Sequence, residues 1–343
     1  MKDIRVGIVG YGWVAGAHIK SFNEIEGVKV TAVCSRRELD AGKLSATHGS
    51  TIAVYNDFSK MCANKDIDIV SICTQHPLHP EQTEIAAKAG KHVIIEKPVA
   101  LDEAGLDRVE AAVKKANVYA LICFEGKVHA QVKVVRGAID QGLVGDLHYG
   151  ECDYYHGIGP WYPQYAWNSK KESGGSSLLT AGCHAVDALI CLMGARPVEV
   201  MSYTAQSSAP AFKAYEYPTT SSTLIKFANG AVGKVASVID CIQPYLFNIH
   251  LVGSHGSVWN DKFHSDKIEG LDKSGWSSFN LRLADSGDVA HHPYRELFSD
   301  FISAIRSGGR PRFSFDDGIL SHRVCLAADR SAATGKPVRI ERA

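Results

Sequence analysis

The chain has 343 residues, with 37 lysines and arginines against 37 aspartates and glutamates, so its formal net charge is zero. Neutrality argues against a broad basic face for nucleic acid and against polybasic attachment to anionic membranes. Hydrophobic residues make up 45% and charged residues 22%, a folded-globule mix with chain enough for about two domains. The longest apolar runs, such as 118–124, fall far short of the ~18 residues of a membrane span. The N-terminus leads straight into a strand-like segment, so no leader is expected. Nine cysteines, an odd number without a CxxC pair, sit mostly in apolar runs (Cys34, Cys73, Cys123). They read as reduced core thiols of a cytoplasmic protein.

Residues 4–9 form an apolar strand followed by Gly10-Tyr11-Gly12-Trp13-Val14-Ala15, a GxGxxA turn. A helix over 15–23 and a strand over 28–34 complete the unit that binds dinucleotides. Gly10 permits the tight turn, Gly12 lets backbone approach a pyrophosphate, and Ala15 lets helix and strand pack closely. The helix N-terminus then offers unpaired N–H groups to phosphate. At the end of the second strand stand Ser35, Arg36 and Arg37, where NAD enzymes usually carry an acid for the ribose 2′-hydroxyl. Two guanidinium groups suit a 2′-phosphate, so NADP is expected over NAD.

Strands over 67–74, 92–96 and 118–124 alternate with helices over 80–89 and 102–116. That pattern predicts an open parallel sheet with right-handed crossovers, whose ligands gather at the carboxyl ends of the strands. Two of those ends carry polar side chains. Thr74, His76 and His79 are expected to line the cofactor crevice, and no metal site is expected there. Glu96-Lys97-Pro98 places a lysine where it must be paired or used, with a proline fixing the turn.

A helix over 128–141 and a strand over 147–155 follow, ending at Tyr155. Trp161, Tyr162, Tyr165 and Trp167 form an irregular aromatic segment. The helix over 177–192 carries Thr180, His184 and Asp187 at i, i+4 and i+7, one polar face on an apolar helix. Strands flank Asn229-Gly230, a hairpin signal, and 247–252 alternates cleanly. The stretch 203–220 reads as a mobile loop. A helix opens at Pro293 with Leu297, Phe298, Phe301, Ile302 and Ile305 on its buried stripe. A last helix, 317–334, is expected to pack back on the first domain. The expected division is 1–124 for the dinucleotide and 125–343 for substrate and oligomer contacts.

Together the GxGxxA turn, Glu96-Lys97-Pro98 and Gly182-Cys183-His184-Ala185-Val186-Asp187 resemble the glucose–fructose oxidoreductase / inositol dehydrogenase (Gfo/Idh/MocA) family over nearly the full length. The resemblance implies an N-terminal Rossmann domain with a parallel sheet. It implies a C-terminal α/β domain with a large open, mainly antiparallel sheet, often used for oligomer contacts. It implies a cytoplasmic NAD(P)-dependent oxidoreductase acting on a sugar, glycoside or cyclitol, as a homodimer or homotetramer. Lys97 then reaches the reacting hydroxyl, and His184 is the acid–base.

Two departures stand out. Thr180 occupies the position of a usual aspartate, which leaves Asp187 as the expected partner of His184. Glu125 and Lys127 follow Phe124 where the family often has Asn and Arg, so they are expected to help define the substrate. Tyr155, Trp161, Tyr162 and Trp167 are candidate rings for a sugar face. Lys170, Lys171 and the His291-His292 pair are lesser candidates at the rim. Two other readings remain: redox-neutral chemistry on a retained cofactor, and a silent nucleotide-binding sensor.

Overall fold

A computed structural model describes residues 3–285, 289 and 292–341. His291 therefore lies outside the described residues. The chain divides into two compact units, one of residues 1–123 with 292–319 and one of 124–291 with 320–343.

The first unit is built on a six-stranded parallel sheet: β1 (Ile4–Val9), β2 (Val28–Cys34), β3 (Ala53–Tyr55), β4 (Ile69–Ile72), β5 (His92–Ile95) and β6 (Ala120–Ile122). Their order is β3-β2-β1-β4-β5-β6, the dinucleotide-fold arrangement with its reversal between β1 and β4. β4 and β5 are buried at nearly every position, as a sheet covered on both faces requires. Short helices Ala41–His48 and Phe58–Ala63 are capped by Asp40 and Asp57, whose side chains accept from backbone N–H groups three residues on. The Tyr294–Ser307 helix belongs to this unit, buries Leu297, Phe298, Phe301 and Ile302, and stops at Gly308. The returning segment is thus 292–319. The helix expected to return, Phe315–Thr334, contributes only its first residues, through Ile319.

The second unit carries a nine-stranded sheet of β7 (Leu147–Tyr155), β8 (Pro197–Ala205), β9 (Thr220–Phe227), β10 (Val232–Val238), β11 (Leu246–Gly253), β12 (Gly256–Trp259), β13 (Lys262–Ser265), β14 (Ser277–Ser278) and β15 (Val338–Arg339). Its order is β14-β13-β12-β11-β7-β10-β9-β8-β15. Every pair is antiparallel except β7 with β10. Along β9, Ser221, Thr223, Ile225 and Phe227 are buried while Ser222, Leu224 and Lys226 are exposed, so one sheet face is covered and the other is bare.

The stretch 203–220 is not the expected mobile loop. β8 runs to Ala205, and Phe212, Tyr215, Tyr217 and Thr219 are buried. The Tyr215 and Tyr217 hydroxyls donate to the carbonyls of Ile158 and Asn168, so aromatic anchors hold it down. The helical stretch Lys171–Met193 is apolar and long enough to cross a membrane, yet 89% of its most apolar window is buried inside the protein, as in a core helix. Seven of the nine cysteines are buried.

Candidate active site

In the first unit the glycine turn has the shape its sequence demands. Gly10 has φ +87°, and a Cβ there would lie 2.7 Å from the Cys73 carbonyl oxygen, so glycine is required on both counts. A Cβ on Gly12 would meet nothing within 4 Å, which leaves its backbone open to a ligand. Ala15 is fully buried. The Ala15–Asn23 helix begins without a side-chain cap, so its first N–H groups point outward, as an anion requires. These residues fit a dinucleotide pyrophosphate. At the end of β2, Ser35 is buried, and Arg36 and Arg37 are exposed. The Arg37 guanidinium donates to the Tyr11 carbonyl, lying across the glycine turn, while the Tyr11 hydroxyl meets His48 Nε2 at 2.9 Å. Trp13 sets its ring edge-on to His292 at 5.8 Å.

Beyond β4, Thr74 hydrogen-bonds Gln82. His76, next in line, is buried and stands edge-on to His79. His79 does not line a crevice: it is fully buried, with Nδ1 2.8 Å from the Pro98 carbonyl and Nε2 3.0 Å from the Thr74 carbonyl. It ties the loop after β4 to the turn after β5. Burial pushes its pKa down, so the ring is neutral and donates to one carbonyl at a time.

The Lys97–Pro98 bond is cis. Glu96 is turned inward, only 5% exposed. Its Oε1 accepts from the Tyr294 hydroxyl at 3.1 Å and lies 2.9 Å from His18 Nε2, while Oε2 accepts the Lys97 N–H at 3.2 Å. His18 Nδ1 meets Ser71 Oγ at 2.9 Å and Cys73 Sγ at 3.4 Å. Burial works against a charge on His18, but Cys73 and Glu96 outweigh it and push its pKa up to about 10. Burial likewise opposes the Glu96 carboxylate, yet its bond to His18 and the charges of His18, Lys97 and His292 hold it at about 2. His18 and Tyr294 escaped the sequence reading. The signal was there: His18 falls on the buried stripe of its helix with Ala15, Ile19 and Phe22.

In the second unit His184 stands at the start of the Cys183–Met193 helix, 4% exposed. One π turn, Leu178–Gly182, precedes it, so the expected i, i+4, i+7 face is broken between Thr180 and His184. Thr180 donates from its hydroxyl to Asn168 Oδ1 at 2.5 Å. A Cβ on Gly182 would lie 2.4 Å from the Ser237 Cβ, so glycine lets this turn press against β10.

Asp187 carries an ion pair with Lys127. Lys127 Nζ lies 2.9 Å from Asp187 Oδ2, both side chains under a tenth exposed, and the Ser321 hydroxyl donates to Oδ1 at 2.9 Å. Beside His184 lies Glu125, 1% exposed, with Oε2 3.4 Å from Nδ1. Glu125 and Lys127 both come from the one-turn helix Glu125–Val128, so this short element sets a carboxylate beside His184 and a cation on Asp187.

Aromatic rings surround His184, though one differs from expectation. Tyr155 points to the other sheet face, its hydroxyl 3.5 Å from Asp153 Oδ2 near Lys234. Its neighbour Tyr154, on the helix-covered face, lies nearly parallel to the His184 ring at 6.3 Å. Phe124 stands edge-on to His184 at 6.1 Å. Tyr154 also meets Tyr245 and His156, and His156 meets Tyr162. Burial pushes the Tyr154 and Tyr162 phenols upward, so both stay neutral donors. Trp161 is 66% exposed and anchored by its Nε1–H to the Gly157 carbonyl. The Trp167 carbonyl accepts from Ser173, and Lys170 pairs with Glu216 at the surface.

Residues 4–124 match the family described as "Oxidoreductase family, NAD-binding Rossmann fold", and residues 117–259 match "GFO/IDH/MocA C-terminal domain". The chain belongs to the Gfo/Idh/MocA oxidoreductase family. Among its relatives is a myo-inositol 2-dehydrogenase of Thermotoga maritima, 24% identical over 98% of this chain and 99% of that one. A levoglucosan dehydrogenase of Pseudarthrobacter phenanthrenivorans is 25% identical over 96% of this chain and 95% of its own. A solved levoglucosan dehydrogenase in complex with NADH and L-sorbose superimposes with a TM-score of 0.86 at 21% identity, covering both chains completely. The Gfo/Idh/MocA fold thus accounts for both sheets and assigns this chain to a family that binds NAD.

Proposed function

We propose that this Gfo/Idh/MocA protein is an NAD(P)-dependent dehydrogenase that oxidises a secondary hydroxyl of a ring polyol, a sugar, glycoside or cyclitol. The observation that carries the reading is the buried imidazole of His184 with a carboxylate 3.4 Å from Nδ1, among phenol rings. A carboxylate on one ring nitrogen favours the imidazolium formed when the other takes a proton. His184 is the general base for the hydroxyl, and Glu125 orients it in place of Asp187. Lys97 donates to the developing alkoxide. Thr180, Lys127 and Asp187 keep the Glu125–His184 pair in place, and Tyr154 and Tyr162 offer ring faces and hydroxyls to a sugar. Trp161 and Trp167 are outer walls.

Gly10, Tyr11, Gly12, Trp13, Val14 and Ala15 would hold the dinucleotide phosphates, and Thr74 and His76 its nicotinamide side. The bound nicotinamide supplies a hydride acceptor; the protein supplies position, a base and a donor. Ser35, Arg36 and Arg37, with no acid among them, favour the 2′-phosphate and hence NADP. The bare sheet face, with Tyr203, Leu224 and Trp259 exposed, suits a second copy of the chain.

The test is a panel of myo-inositol, levoglucosan, open-chain polyols and simple pyranosides, read at 340 nm with both cofactors. Turnover of a ring polyol that drops with His184→Ala and with Lys97→Ala supports the reading. Full inertness across the panel, alongside tight cofactor binding, favours a sensor.

A further inference from the structure

The first unit contains a buried polar cluster that no step above uses. His18 is fully buried in the helix that follows the glycine turn. Tyr294, 1% exposed, opens the Tyr294–Ser307 helix. Both converge on Oε1 of Glu96, at 2.9 and 3.1 Å, while Oε2 accepts the main-chain N–H of Lys97 at 3.2 Å. The cluster continues outward: the Tyr294 hydroxyl lies 3.1 Å from His292 Nδ1, and His292 packs edge-on to Trp13 of the glycine turn. On its other side His18 reaches Ser71 of β4 and packs on Phe298 and the Tyr294 ring. A carboxylate is seldom buried unless its oxygens are satisfied. Here the donors come from three elements and the carboxylate grips the backbone of one residue.

We propose that His18 and Tyr294 are positioning residues for Lys97, acting through the Glu96 carboxylate. The proposal rests on the reading of Lys97 as the alkoxide donor. Glu96 directly precedes Lys97 and its carboxylate accepts the Lys97 main-chain N–H, so what it sets is where the Lys97 stem starts. A side chain four carbons long magnifies a small displacement at its root, and donors to a developing charge work only when held in place. The same helix that would receive the cofactor phosphates at its N-terminus carries His18 one turn later. The reactive lysine is thereby built onto the cofactor-binding helix by hydrogen bonds as well as by the sheet.

Tyr294→Phe tests this, because it removes one hydroxyl and keeps the packed ring. On the panel polyol that turns over fastest, kcat is expected to fall about tenfold, the loss of one hydrogen bond to a charged group, with KM and the NADP+ dissociation constant little changed. In a Lys97→Ala background the same substitution is expected to have almost no effect, since its target is gone. A Tyr294→Phe enzyme with unchanged kcat, or one that loses the same factor with and without Lys97, overturns the proposal. A Lys97→Ala enzyme with wild-type kcat overturns the reading beneath it, and shows this before any Tyr294 variant is made.

Amide hydrogen exchange needs no substrate. The peptide spanning 94–102 is expected to exchange faster in Tyr294→Phe and in His18→Asn, while that spanning 106–116 keeps its protection. Unchanged exchange over 94–102 refutes the link. Equal acceleration of both peptides shows general loosening in place of a positioned turn, and refutes it too.

Discussion

Replacing Glu125 by Gln keeps the shape of the side chain and removes its charge from a point 3.4 Å from His184 Nδ1. At an effective dielectric of ~20, a full charge pair at that 3.4 Å separation is worth about 5 kcal/mol. If relaxation of the pocket recovers half of it, the imidazolium is still disfavoured by about 2.5 kcal/mol. A base weakened to that degree slows proton abstraction by about a hundredfold near neutrality. The neighbouring Lys127–Asp187 pair is close to neutral overall, so it does not replace the lost charge. The assay is the pH profile of kcat/KM for the panel polyol in wild type and Glu125→Gln. The acidic limb should move to lower pH while the plateau drops. A limb that stays in place, with a rate within about threefold of wild type, refutes the coupling of Glu125 to His184.

The other expectations concern stability, cofactor choice and assembly. Lys127→Met leaves the Asp187 carboxylate buried without its cation, which should cost about 3–5 kcal/mol, and adding Asp187→Asn should restore most of it; thermal unfolding of the wild type and the two variants decides. Gly182→Ala puts a methyl group 2.4 Å from the Ser237 Cβ, so it should destabilise by about 1–3 kcal/mol and lower kcat, whereas a neutral variant contradicts the close approach. His18 is held near a pKa of about 10 against an ordinary 6.5, so its contribution is complete below the ordinary value and is lost as pH rises through the folded one. The melting-temperature gap between wild type and His18→Asn should therefore narrow from about pH 6 towards pH 10, and a constant gap would contradict the shift. Paired Arg36→Ala and Arg37→Ala changes should weaken NADP+ binding and spare NAD+, measured by fluorescence titration.

Much of this architecture was legible because its signals are local. The strand, glycine turn and helix at the N-terminus carry their own grammar, and β2, β7 and the first helix fall where their periodicity predicts. Asn229-Gly230 announced the β9–β10 hairpin, with Gly230 at φ +88°. The parallel pairing of β7 with β10 had no sequence signature, because it joins strands far apart in the chain. The site was half legible for the same reason. His184 stood out on an apolar helix, but the π turn before it was invisible, so Thr180 was placed on a face it does not share with it, and the Lys127 partner of Asp187 was not foreseen. Glu125 was noticed as a departure from the family's usual residues, and only the folded turn shows that it lies beside the imidazole. Tyr154 and Tyr155 were separated by strand parity, one residue apart and on opposite faces. The segment 203–220 was misread because its alanines, serines, threonines and prolines hid the aromatic anchors Phe212, Tyr215 and Tyr217.

The proposed reaction is hydride transfer from a ring carbinol carbon to a nicotinamide. The direct measurement uses myo-inositol or levoglucosan deuterated at its carbinol carbons, incubated with NADP+ or NAD+ and analysed by NMR of the recovered nucleotide. Deuterium at C4 of the reduced nicotinamide, appearing in step with the 340 nm signal and lost in His184→Ala, is the predicted result. Product formed with all deuterium retained in the sugar and no reduced nucleotide released would contradict it.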